Sequence, residues 1–323
     1  MLASSRFRVP HPPRASSIGS RIESSRGRIE RVGKFRGWSP ASQAEEHRVR
    51  RAAELLDRYV AASNEVWSSQ AFAKPIVDSP YEAACRLAGG RWAFDFARLH
   101  LAGSEDHLVA MATMFGSGRL PAFAGYTNLR GSLEATARAC WLLDPKVSPR
   151  QRQERGFTEQ LNNLQGLQKF KRHRESRRKM IVQLRLDAAK AGLAPKFANT
   201  PKKKSGSPPL LGFGIARPLA TDLLLELLPH QPTSDDDVEG AFLYRLVSGS
   251  AHSEPWALLA NQERVGFSEP GVAVMGLGVN LDVLMAVTSK VVDLYARAIR
   301  LHVRLMGYDE AALDGARVFL PRL

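Results

Sequence analysis

The sequence predicts an all-α fold, an irregular multi-helix bundle. Three observations lead there. Apolar residues recur at three- and four-residue spacing through most of the chain. Alternating patterns of the strand type are scarce. Serine–proline pairs stand where helices would begin. With 323 residues, 44% of them hydrophobic, the chain can bury a substantial core.

The elements follow in order. A first helix is predicted over 42–62, with Ala53, Leu55, Leu56, Tyr59 and Val60 on its stripe. A second covers 79–101, entered at Ser79-Pro80 because proline suits the first helical position; Gly89-Gly90 would kink or split it. Ser104-Glu105-Asp106 starts a third, stopped by Gly116-Ser117-Gly118. The fourth, 126–143, has the clearest stripe (Leu129, Leu133, Thr136, Ala137, Cys140, Trp141), and Asp144-Pro145 ends it. Ser148-Pro149 then opens a long polar helix to about 191, with Leu161, Leu164, Leu167, Phe170 and Met180 as its buried edge. Residues 195–212, rich in Pro, Lys, Ser and Gly, read as a flexible linker. A short apolar helix covers 221–228. Ser234 and the three aspartates after it form an N-cap with an acidic first turn, and the helix they open closes at Pro255. The last helix, 280–306, is strongly amphipathic. A helical domain therefore spans about 41–315.

Lys and Arg number 46 against 32 Asp and Glu, a net charge of +14. About half of that excess sits in residues 1–40, which hold nine Arg or Lys against two Glu. That segment is rich in Ser and Pro and poor in apolar residues, the composition of a disordered basic tail. A basic, serine-rich, acid-poor start also resembles an organelle transit peptide. No apolar run approaches the ~20 residues of a membrane span, and no apolar segment follows the first arginines as in a secretory signal. Cys85 and Cys140 are too few for a disulfide framework or a zinc cluster, so reduced thiols in the cytoplasm are expected. No metal or cofactor is expected. The chain has no Walker lysine, no His-Glu-x-x-His and no Gly-x-Ser-x-Gly, and its Gly-x-Gly pairs lack a strand–turn–helix setting.

The segment that carries chemistry is Tyr244-Arg-Leu-Val-Ser-Gly-Ser-Ala-His252. Seven residues are almost two helical turns, so Arg245 and His252 leave on one face with Ser248 between them. An arginine that clamps phosphate beside a histidine that moves a proton can cleave RNA. Spacing alone decides nothing, since comparable pairs recur at Arg6/His11 and Arg297/His302. Geometry separates them: the first lies in the basic tail, and the third is splayed by about 140° around its helix. The plainer alternative makes His252 a cation at a helix C-terminus and Arg245 a solvated or salt-bridged side chain. Upstream, Arg130, Glu134 and Arg138 fall at i, i+4 and i+8. They form either an ion-pair ladder between helices or a second polar wall facing Arg245 and His252.

The arrangement Tyr244-Arg245-x-x-Ser248-x-x-x-His252 on a late helix, with Arg130-x-x-x-Glu134 and Trp141-Leu-Leu-Asp144 upstream, resembles the HEPN superfamily over roughly residues 100–260. Catalytic members of that superfamily are metal-independent endoribonucleases acting as dimers. The resemblance implies that Arg245 would stabilise charge on a scissile phosphate. His252 would act as general acid or base toward the ribose 2′-hydroxyl, with Ser248 as an auxiliary hydrogen-bonder. It also implies a homodimer, which small residues around Gly249 and Ala251 would let approach closely. One position departs from the pattern: Leu246 stands where active members carry a polar residue.

A second functional reading rests on charge. Lys169, Lys171, Arg172, Arg174, Arg177, Arg178 and Lys179 crowd the long polar helix, and Lys202 to Lys204 follow. Closely spaced cations bind RNA or another polyanion by releasing counterions. Only Phe170 is at hand to stack bases, which argues against sequence reading. Such a run also suits a merely solvated face. On this reading the chain is a non-catalytic helical binding or scaffold module.

Overall fold

Helices carry the structure, as the periodicity predicts: the described residues form nine α-helices and two small antiparallel sheets. The computed structural model describes residues 42–72, 76–118, 120–121, 123–168, 174–198, 209–228, 239–252, 254, 262–269, 272–277 and 280–314. The basic tail, Lys169, Lys171, Arg172, Lys202 to Lys204, the Ser234 cap and Pro255 lie outside them. All described elements belong to one unit, residues 37–323. Among the described residues no helix is long and apolar enough to cross a membrane.

Local chemistry sets the helix starts. Helix α1 (Gln43–Phe72) is capped by the Ser42 hydroxyl, which accepts from the Glu45 amide at 3.2 Å. The short α2 (Pro80–Cys85) begins at Ser79-Pro80, with Ser79 accepting from Glu82 N at 3.2 Å. The chain then breaks at Gly89-Gly90. A Cβ on Gly90 would stand 1.9 Å from the Ala84 carbonyl oxygen, so only glycine fits that approach.

From there the structure departs from the expected start at Ser104. Helix α3 runs unbroken over Arg91–Gly116. Ser104 is buried inside it and lies 2.7 Å from both the Ser132 and Thr136 hydroxyls of α4 (Ala124–Leu142). A serine that finds partners across a helix interface has no need to cap.

The long polar helix is corrected to two, α5 (Pro149–Gln168) and α6 (Arg174–Lys190). The physical reason is burial. Phe157, Leu161 and Leu164 of α5 share a small core with Leu184 and Ala188 of α6, and one straight helix would leave the second set in water. Met180, expected on the buried edge, is 40% exposed.

The supposed linker is also corrected at both ends. Strand β1 (Pro195–Phe197) pairs antiparallel with β2 (Leu210–Phe213), and β2 turns at Gly214 (φ 70°) into β3 (Ile215–Ala216). Thr158 of α5 pins this turn: its hydroxyl accepts from Phe213 N and donates to Ile215 O, each at 3.0 Å. Such short, Gly- and Pro-flanked strands show no alternation to read.

Helices α7 (Ala220–Leu227), α8 (Glu239–Ala251) and α9 (Leu281–Leu305) complete the bundle. The hairpin of β4 (Gln262–Glu269) and β5 (Val272–Leu277) precedes α9, which Asn280 caps by accepting from Val283 N at 3.1 Å. Helix α3 packs on α1 and α4, and α4 packs in turn on α7, α8 and α9. The main core lies among these helices, filled by Phe94, Leu101, Met111, Leu129, Leu133, Val291 and Tyr295.

Two arginines close the far end of α4. Arg152, 2% exposed, donates to the Leu142 and Asp144 carbonyls at 3.0 Å each, and Arg155 donates to the Trp141 carbonyl. The Trp141 and Leu142 carbonyls belong to the last turn, which the helix cannot satisfy by itself, and cations suit its negative end. Burial, aided by the charge of Arg155, pulls the Arg152 guanidinium down to about 10. We expect Arg152→Leu to cost about 1–3 kcal/mol in urea denaturation, because it strands the buried Leu142 carbonyl. A loss under about 0.5 kcal/mol would show that water serves it equally well.

Candidate functional site

Helices α4 and α8 meet along a polar contact. Arg130 and Glu134, one turn apart on α4, are joined Nε to Oε1 at 2.8 Å. Tyr244 of α8 donates its hydroxyl to the same Glu134 oxygen at 3.0 Å. The guanidinium Nη1 of Arg130 then reaches the imidazole Nε2 of His252, just past the end of α8. Arginine has no acceptor, so Nε2 is the accepting nitrogen in that contact. Burial works against the charge on Arg130, but Glu134 and Tyr244 outweigh it and hold the guanidinium above its ordinary value. Burial and the Glu134 carboxylate both push the Tyr244 phenol up.

Helix α8 shows why these residues face as they do. Leu243, Leu246 and Val247 are buried and hold the helix against the core. Arg245 and His252 are exposed and Ser248 is half-buried, so the three form the solvent-facing stripe that the spacing predicts. The His252 amide donates to the Ser248 carbonyl at 2.9 Å, closing the last turn. Among the described residues Arg245 has no hydrogen-bond or ion-pair partner, and the arginine at the imidazole is Arg130. Gly249 is buried within the chain's own core, so it offers no surface to a second copy.

The row Arg130, Glu134, Arg138 divides. Its first two members pair, whereas Arg138 donates to the Pro218 carbonyl. The reason lies in its neighbours. Burial, with the charge of Arg217 close by, holds the Arg138 guanidinium below its ordinary value, and Glu159 engages Arg217 instead. Arg217 grips Glu159 through Nε (2.8 Å) and Nη2 (2.6 Å), and His100 Nε2 adds a third contact at 3.1 Å. No spacing could have revealed this trio, because His100, Glu159 and Arg217 come from α3, α5 and the segment after β3. Tyr244 stood in the motif that drew attention, but nothing in the sequence gives it a partner on α4.

Of the predicted cationic face, Arg174, Arg178 and Lys179 are exposed on α6 and Arg177 is half-buried. Val182 and Leu186 on the same helix are 57% and 53% exposed. Comparison of the chain with family models, curated proteins and solved structures gives no match.

Glu159 offers a test of the polar seam. Burial alone would raise its carboxyl, but the contacts from His100 and Arg217 outweigh that and hold it below its ordinary value of 4.5. Its stabilisation is therefore complete above 4.5 and fades as pH falls through the lower folded value. At neutral pH Glu159→Gln should unfold at lower urea, a loss of about 1–3 kcal/mol. The gap should close as the pH drops below 4.5. A gap that stays constant across that range would show that the carboxylate charge plays no part.

Proposed function

We propose that the chain cleaves RNA without a metal, through His252 and Arg130 on facing helices, with Arg245 and Ser248 as flanking phosphate contacts. The observation that carries this reading is the contact between Arg130 and the exposed His252 imidazole, fixed from behind by Glu134 and Tyr244. A phosphate is a better partner for a guanidinium than a neutral imidazole. A bound phosphodiester therefore draws Arg130 to itself and frees Nε2 to take the proton of the ribose 2′-hydroxyl. The 2′-oxygen attacks phosphorus and the bond to the 5′-oxygen breaks; the departing oxygen takes a proton from water, the imidazolium returns its own to solvent, and the products are a 2′,3′-cyclic phosphate and a 5′-hydroxyl. Arg130 and Arg245 stabilise the charge that builds on the non-bridging oxygens. The resemblance to the HEPN superfamily supports the reading, with the phosphate clamp moved mainly from Arg245 to Arg130. A homodimer across this face would complete a cleft around the phosphate.

The exposed cations of α6 favour a second reading, a module that holds RNA or another polyanion and cleaves nothing. One experiment separates the two. Purified protein is incubated with structured RNA in EDTA, and the product ends are analysed. Cleavage to cyclic phosphate ends is expected. His252→Ala should lower its rate by about a hundredfold or more, Arg130→Ala by about a hundredfold, and Arg245→Ala should act mainly on KM. RNA retained uncut, with an affinity that collapses as salt rises, would replace the nuclease by the binding module.

A further inference from the structure

A concave site lies away from His252 and shares none of the residues around it. A cleft of about 890 Å³ opens between α9, the end of α7 and the turn after α4, within the usual size range of small-molecule pockets. Its wall is one stripe of α9: Asp293, Arg297, Arg300 and Arg304, at i, i+4, i+7 and i+11. Lys146 and Asp144 face it from the turn, Glu226 from α7 and Glu310 from beyond α9. A smaller recess of mixed lining continues inward to Cys140, Trp141, Leu223 and Arg155.

Some of these charges are spent within the fold. Arg304 pairs with Glu310 at 3.6 Å, and Asp144 with Arg155 at 3.5 Å. Arg297 gives one hydrogen to the Leu227 carbonyl at 3.0 Å, which orients its remaining donors. Among the described residues, Lys146 and Arg300 have no ion-pair partner. Three cations (Lys146, Arg297 and Arg300) therefore face two carboxylates that are likewise outside any ion pair, Glu226 and Asp293. Burial raises the Asp293 carboxyl above its ordinary value, against the pull of Lys290 and Arg300. The lining is four cations against four carboxylates, and because Asp144 is held by Arg155 of the inner recess, which also attracts Glu226, one cation is left in excess.

A surplus of planar, fork-shaped donors calls for a phosphate. Carboxylates beside a phosphate site repel further anionic charge and accept hydrogens from hydroxyls. We propose that this cleft binds a small sugar phosphate, its phosphate on Arg297 and Arg300 and its hydroxyls on Glu226 and Asp293.

The test is calorimetric titration of the full chain at constant ionic strength, with ribose 5-phosphate and inorganic phosphate as probes. Ribose 5-phosphate should bind saturably and more tightly than inorganic phosphate. Arg300→Ala should weaken it about tenfold or more without lowering the melting temperature, and Glu226→Gln should narrow its advantage over inorganic phosphate. Reversing Arg178 and Lys179 to Glu on α6 should change nothing. Three results would overturn the proposal: no saturable binding of ribose 5-phosphate, binding by Arg300→Ala within twofold of the unaltered chain, or an equal loss on reversing the α6 cations. The last would mean attraction to the chain's overall positive charge.

Discussion

Helix α4 is enclosed by neighbours on most of its surface, and a helix so placed must satisfy every polar group it carries. Ser132 and Thr136 do so through Ser104 of α3. Glu134 does so through Tyr244 of α8, and Arg138 through the Pro218 carbonyl ahead of α7. Its terminal carbonyls rely on Arg152 and Arg155 of α5. Each solution ties α4 to a different element, so the register of the whole bundle is tied to this one helix. A buried polar group left alone costs about 1–3 kcal/mol, against a total stability of about 5–15 kcal/mol for a typical domain. A slip of one turn along α4 would forfeit several of these contacts at once.

This constraint also explains how much of the fold was legible in the sequence. Helix ends written in side chains close by could be read directly. Ser42, Ser79-Pro80 and Asn280 act within three residues of where they stand, and the apolar stripe of α4 matches its buried residues. What the sequence hid was long-range. Ser104 looks like a cap until Ser132 and Thr136 are brought beside it. The stretch after Pro149 looks like one helix until the folded-back core of Phe157 and Leu184 exists. The ends of the 195–212 segment look like linker until Thr158 and β2 supply their backbone partners.

The candidate site divides along the same line. Helical spacing placed Arg245, Ser248 and His252 on one exposed stripe, because that is a property of a single helix. It also aligned Arg130 with Glu134. It could not show that Arg130 and His252, 122 residues apart, meet at one nitrogen, nor that Tyr244 reaches Glu134 across 110 residues. The Glu159 trio was invisible for the same reason: three separate elements supply it.

Leu246 ties the site to the fold. Its side chain packs into the main core at 6% exposure. Burying Leu246 and Val247 turns the following face of α8 outward and leaves Arg245 in solvent. An arginine there must give up about 2 kcal/mol of rotamer freedom to hold a phosphate. Arg130 has already given it up, because Glu134 and, through it, Tyr244 hold its guanidinium in place. A donor positioned before the substrate arrives contributes more to the transition state than one that must be gathered in. On the proposed nuclease reading, the packing that leaves Arg245 in solvent thus favours the arginine across the interface as the partner of His252.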